Sequence, residues 1–539
     1  MFAELRELLR SGAIRRHQLR SKYLSTPTSY DMKKHKKEDF PVSQTFDQFQ
    51  ALYSRIRHFN RAATLMSWDL YTATPKNGYQ DMSDTLTYFS SESFSLSTSD
   101  EFRALLTSLS QPEEINALSE GMQYTVKKLK KQMEKNSRIP KDFYEELISL
   151  QSASMQAWGE AKRTADFSIF APYLEKLIDK TIQRCAYTDP GKDTYEVLLD
   201  EYEEGMDSAS IDRVFSELKE GLVPLLDQIL AAPQPDSSLF KGYYDPDAQK
   251  KVQELLLTYI GFSLESGTVA ESEHPFTLGF SKHDVRVTNH FRPDDPLCAM
   301  FSAIHEGGHG IFEQNVDSAL QNTEADDCPF MGVHESQSRF FENMLGRNRN
   351  FWLPIYPQIQ ELLPELKRIS LDDFVREINH VKNRFIRTDA DEVTYPLHII
   401  IRYEIEQAIF HDHTPVSELP SLWNQKMQQY LHITPSNDAE GILQDMHWSD
   451  GSFGYFPSYL LGSIYDGMFL QAIEHDLGSI DELLAAGQIL EITHWLNEKI
   501  HRYGGLRLPK DVLREVCHEE LSAQPLLTYF REKYTKLYQ

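Results

Sequence analysis

The chain is expected to fold as a mostly α protein with one small β-sheet, and three observations predict it. Apolar residues recur at i, i+3 and i+4 through most of the 539 residues, period-two alternation is confined to a stretch near residue 280, and no Pro/Gly/Ser-rich linker cuts the chain after residue 45. With 40% hydrophobic residues, that length supports a large buried core.

The elements follow in order. Residues 1–37 carry ten Lys/Arg against three Asp/Glu and end in Lys33-Lys34-His35-Lys36-Lys37. Residues 1–44 are therefore expected to be a poorly ordered basic extension, with Met32 as an alternative start and a targeting segment as the other reading. From Thr45, taken as a cap, Phe46, Phe49, Leu52, Tyr53, Ile56 and Phe59 mark one helical face. Met122, Val126, Leu129 and Met133 mark another, and the lysines between them read as a solvated outer face. Phe276–Phe280 and Asp284–Phe291 alternate around a turn at Ser281-Lys282-His283 and form the expected sheet. The most apolar segment, 459–473, is interrupted by Gly462, Asp466 and Gly467 and is too short and too broken to span a membrane. Residues 45–539 are expected to be one domain.

The formal charge is −26. It argues against nucleic-acid binding and against attachment to an anionic membrane surface. Four scattered cysteines without a C-x-x-C pair give neither a disulfide framework nor a cysteine zinc site, which fits a reducing, cytoplasmic compartment. Phosphate-cradling glycine loops and the G-x-S-x-G elbow are absent.

The chemistry is concentrated near residue 305. Asp295 caps and Pro296 opens a helix whose apolar face is Leu297, Met300, Phe301 and Ile304. It carries His305-Glu306-Gly307-Gly308-His309, the H-E-x-x-H pattern, in which two imidazoles one turn apart reach one zinc ion and the glutamate faces the activated water. Composition alone would give the pattern about 0.05 times in such a chain. Gly307, Gly308 and Gly310 each cost about 1 kcal/mol in a helix relative to alanine, so something must need the backbone bare there. A catalytic zinc takes a third protein ligand. Glu335, on a second helix opening near Gly332, is the first candidate, with His334, Glu324, Asp326 and Glu342 as alternatives.

Taken together, the motifs resemble the M32 family of metallocarboxypeptidases, the thermostable carboxypeptidase Taq type. His274-Pro275-Phe276 looks like the family's HPF, Asp284-Val285-Arg286-Val287-Thr288 its DxRxT, and His334-Glu335-Ser336-Gln337 its HES/GQ. Ile386-Arg387-Thr388-Asp389-Ala390-Asp391 matches I/N-R-x-x-A/S-D, and the run from Gly441 to Trp448 matches GxxQDxHW. The likeness spans about residues 45 to 539, with Ala73-Thr74-Pro75 departing from the family's Met before Pro. It implies a neurolysin-like zincin with a long substrate groove, a homodimer, broad removal of C-terminal residues from peptides, Glu335 as third ligand, and cobalt as an alternative to zinc.

On this reading Glu306 takes the proton of the attacking water and passes it to the leaving amine. The free terminal carboxylate of the peptide calls for an arginine fork, Arg387 first and Arg402 second, Arg402 having a surface ion pair with Glu404 or Glu406 as its plainer role. His447 or Tyr455 would donate to the developing oxyanion, on a loop shaped by Gly451 and Gly454. Asp284, Arg286 and Thr288 would flank the substrate, their strand pairing with its backbone, or else satisfy one another. The rival readings are an endo-acting oligopeptidase on the same scaffold and a catalytically silent zinc- or peptide-binding protein.

Overall fold

Helix α1 (Gln44–Thr72) opens on Ser43, not Thr45, because the Ser43 hydroxyl accepts the Phe46 N–H at 3.2 Å. The structure, a computed structural model, describes residues 43–538. The basic extension up to residue 42 lies outside them. Of the predicted stripe on α1, Phe49, Leu52, Tyr53 and Ile56 are buried, packing with Phe102, Leu106, Leu109 and Val126 into a small core of their own. Helix α2 (Glu120–Asn136) supplies Met122 and Val126. Its lysines are not simply solvated: Lys131 pairs with Glu204 at 2.6 Å, Lys135 with Asp189 at 2.8 Å and Lys128 with Glu324 at 3.7 Å.

The main core surrounds the elements that carry the motifs. Helix α3 (Pro246–Ile260) leads into β1 (Gly267–Glu271), β2 (Thr277–Ser281) and β3 (Asp284–Asn289). The predicted hairpin is β2–β3, antiparallel, with a register shift between Gly279 and Ser281. The strand not foreseen is β1, which pairs parallel to β3, so that the order is β1-β3-β2 and β3 is central. Helix α4 (Pro296–Asn315) packs on this sheet and on α3, and Leu257, Ile260, Val285, Val287 and Ile304 are sealed between them.

Helix α5 (Met331–Arg339) runs directly into a π-helical turn, Phe340–Leu345. The loop between α4 and α5 is pinned to α1: Tyr53 donates to Glu324 at 2.6 Å, and Arg57 donates to Asp326 and to the Thr323 carbonyl, each at 2.9 Å. Helix α6 (Tyr395–Phe410) and helix α7 (Phe456–Leu477) complete the surroundings, α7 lying closely along α5. The apolar segment 459–473 falls inside α7, a helix buried in the core. No helix among the described residues is long and apolar enough to cross a membrane.

Candidate metal centre

Asp295 caps α4 by accepting the Cys298 N–H at 3.2 Å, and Pro296 occupies its first turn, as the sequence predicts. His305 and His309 stand one turn apart, their rings 5.0 Å between centroids. The glycines between and beside them have distinct reasons. A Cβ on Gly308 would lie 2.6 Å from the Gln337 carbonyl oxygen and 2.8 Å from Ser338 Cα, so α4 and α5 meet backbone to backbone there. On Gly307 it would strike Ile260 and Leu257 of α3, and on Gly310 the Phe262 ring. Neighbouring structure, and not substrate, accounts for the bare helix.

That contact brings Glu335 of α5 beside the two histidines. One donor atom each from His305, His309 and Glu335 lie within 4.8 Å of one another. Glu335 Oε2 is 3.9 Å from His305 Nε2 and 3.6 Å from His309 Nε2. Ligands at 2.0 to 2.1 Å in tetrahedral array are about 3.4 Å apart, so the donor set fits a divalent ion. The far ring nitrogens are held too: His305 Nδ1 bonds Glu342 Oε2 at 2.8 Å, and His309 Nδ1 bonds His334 Nδ1 at 2.7 Å. His334 Nε2 in turn meets Glu313 Oε1 at 2.8 Å. With His309 Nε2 bare for a metal, its Nδ1 donates to His334, which must then donate from Nε2 to Glu313. The π turn is what aims Glu342 at His305. Of the alternative ligands, His334 and Glu342 thus orient histidines, while Glu324 and Asp326 are held by α1.

Replacing Gly308 by alanine is expected to push α4 from α5 and weaken metal binding by about 10- to 100-fold, with an overpacking cost of about 1–3 kcal/mol. Competitive metal titration checks this, and unchanged affinity would contradict the close-packing account.

Glu306 is buried beside this group, and Thr277 of β2 donates to its Oε2 at 2.6 Å. Burial raises its pKa above the usual carboxylate range, partly opposed by His305 and by the Thr277 hydrogen bond. That is the direction a general base working near neutrality requires.

A family model described as "Carboxypeptidase Taq (M32) metallopeptidase" matches residues 48–534. The chain belongs to the M32 family. It is 45% identical to "Carboxypeptidase 1" of Bacillus subtilis over 91% of this chain and 98% of that one, and 34% identical to "Thermostable carboxypeptidase 1" of Pyrococcus furiosus over 92% and 100%. Among solved structures, the M32 carboxypeptidase from Deinococcus radiodurans superposes with a TM-score of 0.88 at 30% identity, covering 92% of this chain and 100% of that one. The family and the helical fold, with one small sheet among the described residues, are thereby established, as is kinship with metallocarboxypeptidases.

The remaining M32 motif residues are placed as follows. Arg387 donates from Nε and Nη2 to Asp445 Oδ1 at 3.0 and 2.9 Å, and from Nη1 to the Tyr395 hydroxyl at 3.0 Å. Arg402 is 0% exposed, with Nε 2.6 Å from Asp445 Oδ2 and Nη1 2.7 Å from the His398 carbonyl. It is sealed from any substrate, which corrects its assignment as a carboxylate reader. Nor does it pair at the surface: Glu404 binds Lys219 and Lys426, and Glu406 accepts from Tyr195 and Trp448. Burial raises the Asp445 pKa, but the two arginines outweigh it and hold the carboxyl well below the usual range.

His447 Nε2 bonds the Tyr459 hydroxyl at 3.1 Å, and its Nδ1 is buried without a partner among the described residues. Burial, with Arg387 and Arg402 nearby against Asp445, lowers its pKa to about 4, and it orients Tyr459 as a neutral ring. Tyr455 stacks on His447 at 5.5 Å between centroids. Its pKa is pushed up to about 12, by burial first and then by the charge of Glu335, so its hydroxyl stays protonated near neutrality. Tyr459, one turn on, escaped sequence reasoning, although its i+4 spacing from Tyr455 was a usable signal.

Both edges of β3 are occupied, by β1 and β2, so it cannot pair with a peptide, a correction to the sequence expectation. Arg286 donates to Asp284 through Nε at 2.8 Å and Nη2 at 2.9 Å while lying over the Phe280 ring at 4.5 Å. Thr288 is sealed and accepts from Ser272 Oγ at 2.7 Å and from the Phe276 N–H at 2.9 Å. Asp284 and Arg286 thus satisfy each other, while Thr288 fixes the backbone of Phe276, whose ring meets Trp68 and Tyr71 of α1.

Proposed function

We propose that the protein is a zinc-dependent metallocarboxypeptidase, with cobalt as an alternative ion, that releases C-terminal amino acids from peptides with broad specificity. The observation that carries this reading is the convergence of His305, His309 and Glu335 beside a buried Glu306 in a chain of the M32 family. When bound, a divalent ion supplies Lewis acidity that acidifies water and polarises the scissile carbonyl. Glu306 accepts the proton of the attacking water on Oε1, since Thr277 occupies Oε2, and returns it to the leaving amine. Tyr455, its hydroxyl protonated near neutrality, donates to the oxyanion.

The substrate backbone runs along the open edge of β2, the strand that touches Glu306, within the long groove the family likeness implies. Around Tyr395, Arg387, Asp445 and Arg402 hold two positive charges against one negative, a field that favours the terminal carboxylate. A homodimer, a cytoplasmic setting, and a single peptidase domain over 45–539 behind a basic extension belong to the same proposal.

Protein reconstituted with zinc or cobalt is expected to release amino acids one at a time from the C-terminus of a peptide, as followed by amino-acid analysis. A chelator should stop release and either ion restore it. Release that persists after the metal is removed would contradict the proposal.

A further inference from the structure

We propose that Arg339, which lies outside every assignment made above, is the residue that reads the substrate's terminal carboxylate. The inference rests on the carboxypeptidase reading and names the anchor within it. A carboxylate is bound best by an arginine that presents two N–H donors along one edge of its guanidinium. Around the metal group most such edges are taken. In Arg387 the Nε and Nη2 side is spent on Asp445 and Nη1 on Tyr395. Arg402 is sealed, and Arg347 is spent on Asn343, Glu342 and the Ile378 carbonyl.

Arg339 differs. Its Nε donates to Ser463 Oγ of α7 at 2.7 Å, and its guanidinium lies 4.1 Å from the centroid of the Tyr395 ring. These two contacts fix its plane. Among the described residues Nη1 and Nη2 make no hydrogen bond, yet they are not among the buried unpartnered atoms, although the residue as a whole is only 6% exposed. The edge they form is therefore open and pre-oriented. It is also in the right place: Nη1 is 3.9 Å from Glu335 Oε1, beyond hydrogen-bond reach but beside the ligand group. The terminal carboxylate of a bound peptide sits about one residue length, ~3.8 Å, from the scissile carbonyl, so its reader must stand next to the metal ligands. Arg387, spent on Asp445 and the Tyr395 hydroxyl, then shapes the wall instead of touching the carboxylate.

The test is binding without turnover. In the metal-loaded Glu306→Gln protein, dissociation constants are measured by calorimetry for one short peptide as its free acid and as its C-terminal amide. The acid is expected to bind about 10- to 100-fold tighter, the worth of a charge-assisted pair. Adding Arg339→Gln should abolish that preference by weakening the acid alone. Arg339→Lys keeps a cation beside Glu335 and is expected to retain metal while losing most of the preference, because an ammonium offers no two-donor edge. A preference that survives both substitutions overturns this assignment alone, as does equal weakening of acid and amide. No preference in the Glu306→Gln parent overturns the carboxypeptidase reading and this assignment with it.

Discussion

Glu306→Gln is expected to keep its metal and lose about 10²- to 10⁴-fold in turnover. The amide preserves the shape of the side chain, and its one carbonyl oxygen still accepts the Thr277 hydrogen bond, so α4 and the donor set of His305, His309 and Glu335 should be undisturbed. What it cannot do is take up a proton. The loss therefore falls on kcat, and KM for a peptide should move little. Metal content measured on the same preparation separates the loss of a base from the loss of a site. Near-parental turnover would remove Glu306 from the chemistry.

Asp445→Ala is expected to have the largest effect on stability, about 3–5 kcal/mol, because it leaves two buried guanidinium groups facing each other without a counter-charge. Asp445 accepts from Arg387 at Oδ1 and from Arg402 at Oδ2, and burial already lowers the Arg402 pKa to about 10, with Arg387 adding to the shift. Asp445→Asn keeps an acceptor of the same shape but not the charge, and should fall between alanine and the parent. Because the folded pKa of Asp445 is depressed, its contribution is fully present above the unfolded value of about 3.9 and is lost as pH falls below it toward the folded value. Denaturant titrations at pH 7 and below pH 4 check both statements. A parent-like midpoint for the alanine variant would contradict the buried-charge account.

Local signals were legible in the sequence where a residue's role depends on its own helix or hairpin. The Asp295 cap, the His305 and His309 spacing and the β2–β3 turn are of this kind, each decided within a few residues. Strand β1 was not legible, since its five residues acquire their meaning only by pairing parallel to β3 across a non-local connection. The same limit holds at the site. Nothing in the sequence around Arg402 reports that Asp445, forty-three positions away, draws it into the core. Nor does the sequence around His447 report that Tyr459 takes its Nε2. Glu342 was weighed as a metal ligand, but the π turn that turns it onto His305 Nδ1 is a backbone irregularity without a pattern of its own. The three glycines show the opposite case: the need for a bare backbone was legible, while the partners, α5, α3 and Phe262, required the packed structure.

The central claim is that this metal centre removes residues from a free C-terminus. A mass-spectrometric time course of zinc- or cobalt-reconstituted protein on one peptide, supplied as its free acid and as its C-terminal amide with Glu306→Gln as control, tests it most directly. Stepwise shortening of the free acid alone, absent in the control, is the predicted result. Internal cuts in both forms, or no cleavage despite bound metal, would contradict it.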